Sequence, residues 1–152
     1  MEDLERTVRE IQESILEEAR KVYPERVIEL FLSPRNLGPL PDPDGYARFT
    51  GPCGDTMEIY LRLEGDRIRE ASFVTDGCGT TVACGSMVTE MVRGRTLREA
   101  FAISPERLLE ELGGLPEADQ HCATLAVETL RRALRDALDQ RREPWRRAYR
   151  RR

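Results

Sequence analysis

The chain has 152 residues, 39% hydrophobic and 34% charged, with a formal net charge of −4, a size that closes one core and argues against two, so a single domain over residues 1–152 is expected. Charge breaks every apolar run and the start, MEDLERTVREIQ, is acidic and amphipathic, so neither a transmembrane span nor a signal peptide is expected and the sequence points to the cytoplasm. Four cysteines in such a compartment argue for metal binding or thiol chemistry rather than a disulfide framework.

Taken in chain order, Leu4, Val8, Ile11, Ile15, Ala19 and Val22 recur at steps of three and four, which predicts an amphipathic helix. Pro24 interrupts it and opens a short second helix carrying Val27, Ile28 and Phe31, stopped at Ser33-Pro34. The stretch SPRNLGPLPDPDG, 33 to 45, reads as a loop that runs over the surface or covers something. Tyr46 to Thr50 is a short strand. Met57, Ile59, Leu61 and Leu63 alternate with Glu58, Tyr60 and Arg62, Glu64-Gly65-Asp66 turns the chain, and Ile68 to Thr75 returns, which together predict an antiparallel meander of three strands.

The second half reads as helical. A helix is expected from about Thr80 to Arg93, with Gly94 as a left-handed cap. Thr96-Leu-Arg-Glu99 is a capping box that starts the next one. Ser104-Pro105 opens another, which Gly113-Gly114 ends. From Asp119 a long helix carries Leu125, Leu130, Leu134 and Leu138 on one stripe. The fold class expected is α+β, a three-stranded antiparallel sheet packed on one face by helices, with an extra N-terminal helix.

Charge is uneven. Residues 131–152 hold ten arginines against Asp136, Asp139 and Glu143, while residues 1–130 hold 14 basic and 25 acidic residues. In the basic tail, 139–152, arginines beside Trp145 and Tyr149 could meet phosphates and bases. Confinement of the charge to one helix end fits the helix dipole and a solvated tail better, so nucleic acid is not expected as a partner.

The reactive groups fall at element junctions. Cys53 and Asp55 lie just before the second strand, Cys78 sits in Gly77-Cys78-Gly79 between the last strand and a helix, and His121-Cys122 open the long helix. Two of these are helix N-termini, where unpaired N–H groups and the dipole favour a thiolate. Cys84, among Ala83, Gly85 and Ser86 inside a helix, reads as a small packed side chain.

GPCGDTMEIYLRLEGDRI, TDGCGTTVACGSMVTEMVRGRTLREA and HCATLAVETLRRAL resemble, in order and separation, the three motifs of the IscU/NifU-type iron-sulfur cluster assembly scaffolds. PERVIELFLSPRNLGPL is similar to that family's amino-terminal helix and loop. The resemblance spans about residues 24–138. It implies that Cys53, Cys78 and Cys122 ligate a [2Fe-2S] cluster or iron, with Asp55 or His121 completing or modulating the site. It also implies that a cysteine desulfurase supplies sulfur as a persulfide, with Cys122, or Cys53, as acceptor, and that apo iron-sulfur proteins receive the cluster.

Soft thiolates hold iron-sulfur clusters firmly. A carboxylate or imidazole at one position loosens one iron, a defect in an electron carrier and a requirement in a donor, which makes Asp55 the candidate release device. Where many members of the family carry Leu-Pro-Pro-Val-Lys before His-Cys, this chain has Leu115-Pro116-Glu117-Ala118-Asp119, so the resemblance does not carry an Hsp70-type chaperone partner over to it. The competing reading is a zinc-dependent sulfur acceptor of the SufU kind. That group resembles this chain at the Cys, Asp and Cys positions, but has an insertion between the second and third cysteines and lacks the histidine. Here 43 residues separate Cys78 from Cys122, and His121 is present. Zinc would fit the same ligands in either case.

Overall fold

The computed structural model describes residues 2–145. In chain order its elements are α1 (Glu2–Val22), α2 (Glu25–Leu32), β1 (Gly45–Thr50), β2 (Thr56–Glu64), β3 (Arg67–Thr75), α3 (Gly79–Val92), α4 (Leu97–Phe101), α5 (Pro105–Leu112), a 3-10 turn (Glu117–Asp119) and α6 (His121–Arg142). The fold is α+β, with the strands in the order β1-β2-β3 and both pairings antiparallel.

The period-two pattern of β2 explains which face is covered. Met57, Ile59 and Leu61 are fully buried, whereas Glu58, Tyr60 and Arg62 between them are only half-buried. β3 adds Ile68, Ala71 and Phe73 to the core, and α3 and α6 cover it with Ala83, Val88, Leu125, Leu130 and Leu134. At Gly85 a Cβ atom would stand 2.4 Å from the Phe73 ring, so only glycine lets α3 come this close to β3.

The 33–44 stretch covers an edge. Phe73 N–H donates to the Asn36 carbonyl (2.9 Å) and Gly38 N–H donates to the Phe73 carbonyl (2.8 Å), which gives the free side of β3 partners and shields it from other strands. Asn36 accepts a left-handed φ of 60° to make this approach, and its side chain is fixed by Thr89 and Glu90.

Helix ends follow their local chemistry, with two departures from expectation. Thr96 and Glu99 form the expected capping box, Ser104 caps the Arg107 N–H ahead of Pro105, and Gly113 closes α5 at a φ of 87°. Gly94 does have a positive φ, 79°, but Arg93 has already left the helix at ψ 126°. Arg95 N–H donates to the Val92 carbonyl at 3.0 Å. Gly94 is therefore the third residue of a type II turn rather than a cap on the helix. At the other end, α6 continues to Arg142 and Arg141 donates to Asp66 at 3.2 Å, so the beginning of the segment read as a basic tail is helix. Tyr149 and the last arginines, residues 146–152, lie outside the described residues.

α1 differs from the other long helices. It buries none of its residues, and Leu4, Val8, Ile11, Ile15 and Val22 are all exposed. Among the described residues, no helix is long and apolar enough to cross a membrane.

Candidate metal centre

The β1–β2 hairpin builds the first part of the site. Gly51 and Asp55 close the loop through a 2.9 Å bond from Gly51 N–H to the Asp55 carbonyl, and Gly54 N–H donates to the Gly51 carbonyl at 3.0 Å. Pro52 is the second residue of that turn, where its fixed φ fits, and Gly54 takes a φ of 93°. Between them Cys53 is carried to the exposed tip. This is why a cysteine stands between proline and glycine here.

The β3–α3 junction brings in Cys78. It is the N-cap residue of α3, with extended backbone (φ −74°, ψ −177°) and no hydrogen bond from its side chain to the helix, so its exposed thiol is available for other work. Three residues on, the buried Thr81 points into the site. Its hydroxyl lies 3.1 Å from Asp55 Oδ2 and 3.4 Å from Cys122 Sγ. Gly77 makes room for it, since a Cβ there would be 2.7 Å from the Thr81 side chain.

The start of α6 supplies the rest. The 3-10 turn Glu117–Asp119 leads into the helix through Gln120, which has helical dihedrals and no side-chain cap. His121 is exposed and Cys122 is 1% exposed, with 3.6 Å between His121 Nε2 and Cys122 Sγ. Tyr23 closes this side. Its hydroxyl donates to Asp119 Oδ2 at 3.0 Å, and its ring meets Phe31 edge-on at 5.3 Å.

One donor atom each from Cys53, Asp55 and His121 lie within 4.8 Å of one another, a sulfur, an oxygen and a nitrogen from two distant parts of the chain. The Cys78 and Cys122 sulfurs stand outside that compact set, and Cys122 is joined to it through Thr81 and His121. Cys84 is fully buried in the core and not part of the group.

The electrostatics of Cys122 differ from the thiolate expected at a helix start. Burial pushes its thiol up to about 11; the Thr81 hydrogen bond pulls the other way, and the negative groups at Cys78, Asp119 and Asp55 add to the rise. The helix start does not outweigh desolvation, so without a metal Cys122 is a neutral thiol. Burial also raises the Cys84 thiol, far beyond the ordinary range. For Tyr23 a bond with Thr80 lowers the phenol, but the bond to Asp119, burial and the charges of Asp119 and Cys78 together raise it.

Sequence reasoning missed Thr81, Tyr23 and Asp119. The signal available for Thr81 was its position three residues after Cys78, on the same helical face. Nothing in the sequence marked the Tyr23–Asp119 pair, which spans 96 positions.

Comparison with known proteins gives a consistent picture. The NifU-like N terminal domain model matches residues 22–143. An iron-sulfur cluster assembly scaffold protein, IscU 1 of Archaeoglobus fulgidus, is 42% identical over 116 residues, which cover 76% of this chain and 76% of the relative. Among solved structures, the N-terminal part of a NifU-like protein from Brucella abortus superposes with a TM-score of 0.61 at 23% identity, over 78% of this chain and 96% of the other. A putative scaffold for the SUF system from Fervidobacterium islandicum gives a TM-score of 0.60 at 21% identity, over 74% and 96% respectively. These two structural likenesses speak to the fold alone. With the model spanning most of its length and a relative at this identity, the chain belongs to the NifU-like N terminal domain family.

Proposed function

We propose that this chain is a scaffold for iron-sulfur cluster assembly in the cytoplasm, which accepts sulfur from a cysteine desulfurase, binds iron, builds a labile [2Fe-2S] cluster and passes it to apo-proteins. The observation that carries the reading is the convergence of Cys53, Asp55 and His121 within 4.8 Å in a member of a family whose relatives are named as such scaffolds. The cluster is cargo, not a resident cofactor. Thiolates of Cys53, Cys78 and Cys122 are its soft ligands in this reading, and Asp55 or His121 takes the remaining place.

Exposure supports Cys53 as the thiol that first meets a donor, while the buried Cys122 accepts sulfur only once the start of α6 opens. In the transfer a thiolate attacks the outer sulfur of the donor persulfide. A new S–S bond forms as the donor's breaks, and the donor leaves as a thiolate. Each sulfur so delivered takes up two electrons to become sulfide; of the four that two sulfides need, the two ferrous irons supply two as they become ferric and an added reductant supplies the other two. The chain itself has no turnover chemistry in this scheme. Asp119, which stands where the family motif described above has lysine, is engaged by Tyr23, and a dedicated Hsp70 partner is not part of the reading.

The competing function, a zinc-dependent sulfur acceptor, shares the fold, so the fold does not discriminate; the presence of His121 in the donor set favours the scaffold. Anaerobic reconstitution with iron, cysteine and a desulfurase separates them. A scaffold develops the visible absorption of a [2Fe-2S] centre and activates an apo-ferredoxin, and a zinc sulfur acceptor does neither while still speeding the desulfurase.

A further inference from the structure

The α1 helix is 21 residues long and buries none of them. Most helical stability in proteins comes from packing an amphipathic face, and this helix carries an uncovered apolar seam. Leu4, Val8, Ile11, Ile15 and Val22 are 69, 45, 54, 62 and 57% exposed. The helix lies almost entirely before residue 22, where the family match begins, so the shared fold does not require it.

The spacing of the seam indicates what covers it. Val8, Ile15 and Val22 are seven apart, and Leu4 and Ile11 fall between them at the alternating steps of a heptad. Apolar residues repeating in this way form a helix–helix seam, interrupted here at Glu18, which takes the third of the alternating positions. A bilayer surface is the poorer partner, because α1 holds seven acidic and four basic residues and anionic lipid selects basic faces.

Charge then fixes the direction. The first turn is acidic, with Glu2, Asp3 and Glu5, and the last is basic, with Arg20 and Lys21. The flank beside the seam reads Asp3, Thr7, Glu10, Ser14, Glu17, Lys21. In an antiparallel pair whose layers are Leu4 with Val22, Val8 with Glu18 and Ile11 with Ile15, the acidic first turn of each helix lies beside the basic last turn of the other, which brings Lys21 within a turn of Asp3 at both ends and leaves each Glu18 beside Val8. A parallel pair would set Glu18 against Glu18 in the seam and Asp3 beside Glu2 and Glu5 of the other copy. Lys21 now holds Glu18 in an exposed pair at 2.9 Å, which is weak enough to be exchanged.

We propose that the partner of α1 is the α1 of a second copy of this chain, in an antiparallel two-helix seam. Two-fold symmetry makes the contact self-complementary and closed. Each α1 leads directly into Tyr23 and the metal centre at its C-terminal end, so the pairing places the two centres at opposite ends of a seam about 31 Å long, the length of 21 helical residues. Each copy then works on its own cargo.

The test is the mass of the full chain by sedimentation equilibrium. Two chains of 17.4 kDa per particle are expected, and Ile11→Glu with Ile15→Glu should return a single chain whose remaining fold, followed by the thermal transition, is retained. Lys21→Asp should weaken the dimer about tenfold, the effect of roughly 1.4 kcal/mol, and adding Asp3→Lys should restore it. A monomeric wild-type chain overturns the proposal, as does a dimer that survives the paired Ile substitutions. Lys21→Asp left unrescued by Asp3→Lys overturns the antiparallel arrangement. Binding of a monomeric chain to phosphatidylglycerol vesicles or to a desulfurase through this seam would assign it to those partners instead. Cluster reconstitution of the Ile variant separates this result from the scaffold reading, because the centre does not use α1.

Discussion

The Thr81 hydroxyl stands 3.4 Å from the Cys122 sulfur and bonds the Asp55 carboxylate at 3.1 Å on its other side. One fully buried side chain thus ties the hard donor to a soft one across 67 positions of sequence. Residues that hold ligands in place commonly change metal affinity by about 10- to 100-fold when removed. Thr81→Val keeps the shape and loses the hydroxyl, so zinc affinity, measured by competition with a chromophoric chelator, should fall within that range. Thr81→Ser should recover it, and a Val variant with wild-type affinity would make Thr81 a packing residue only.

Asp55 and His121 play different parts if the carboxylate is the release device. With Asp55→Ala the cluster should form and transfer to apo-ferredoxin more slowly, because the loosest contact has been removed. His121→Ala should lower the yield of cluster more than it slows transfer, since the imidazole is exposed and adds a donor to the set. Stopped-flow absorption under anaerobic conditions reads both. Identical transfer rates for wild type and Asp55→Ala would remove the proposed role.

Much of this architecture was legible because its causes are local. The alternation of Met57, Ile59 and Leu61 fixes the covered face of β2, and Thr96 with Glu99 or Ser104 with Pro105 announces a helix start through neighbours three residues apart. The candidate donor residues were legible as a set placed at junctions, since Gly and Pro mark the turns that expose them. Its internal order was not. Whether Cys122 is a thiolate depends on burial by distant elements, which outweighs the helix start, and the Tyr23–Asp119 bond joins the link between α1 and α2 to the 3-10 turn across 96 positions. The end of α3 was misplaced because a glycine of positive φ serves a type II turn as readily as a helix cap.

Gly85 tests how tightly the helical layer is set against the sheet. A Cβ would lie 2.4 Å from a Phe73 ring that is itself fully buried, so neither side has room to yield. Gly85→Ala gains helix propensity but overpacks, and should destabilise the chain by about 1–3 kcal/mol in urea denaturation. The pair Gly85→Ala with Phe73→Leu should regain part of the loss. A more stable Gly85→Ala variant would mean that α3 can shift outward.

Thiol access in the metal-free chain follows from burial. At pH 8, iodoacetamide should modify the exposed Cys53 and Cys78 and spare Cys84 and Cys122, which are 0% and 1% exposed, with mass spectrometry as the readout; saturating zinc should then protect Cys53. The raised Cys122 thiol also sets a pH dependence. Below its ordinary value of 9.0 the group is protonated in both the folded and the unfolded chain, and its contribution to stability is fully present. As pH climbs from there to about 11 the unfolded chain ionises first and stability is lost, with Cys84 acting in the same direction. Urea midpoints of the metal-free chain should therefore fall over that interval. Cys122→Ala, less stable at neutral pH for the sulfur it lacks, should show a shallower decline, and parallel curves for the two proteins would exclude Cys122 as a source of the effect.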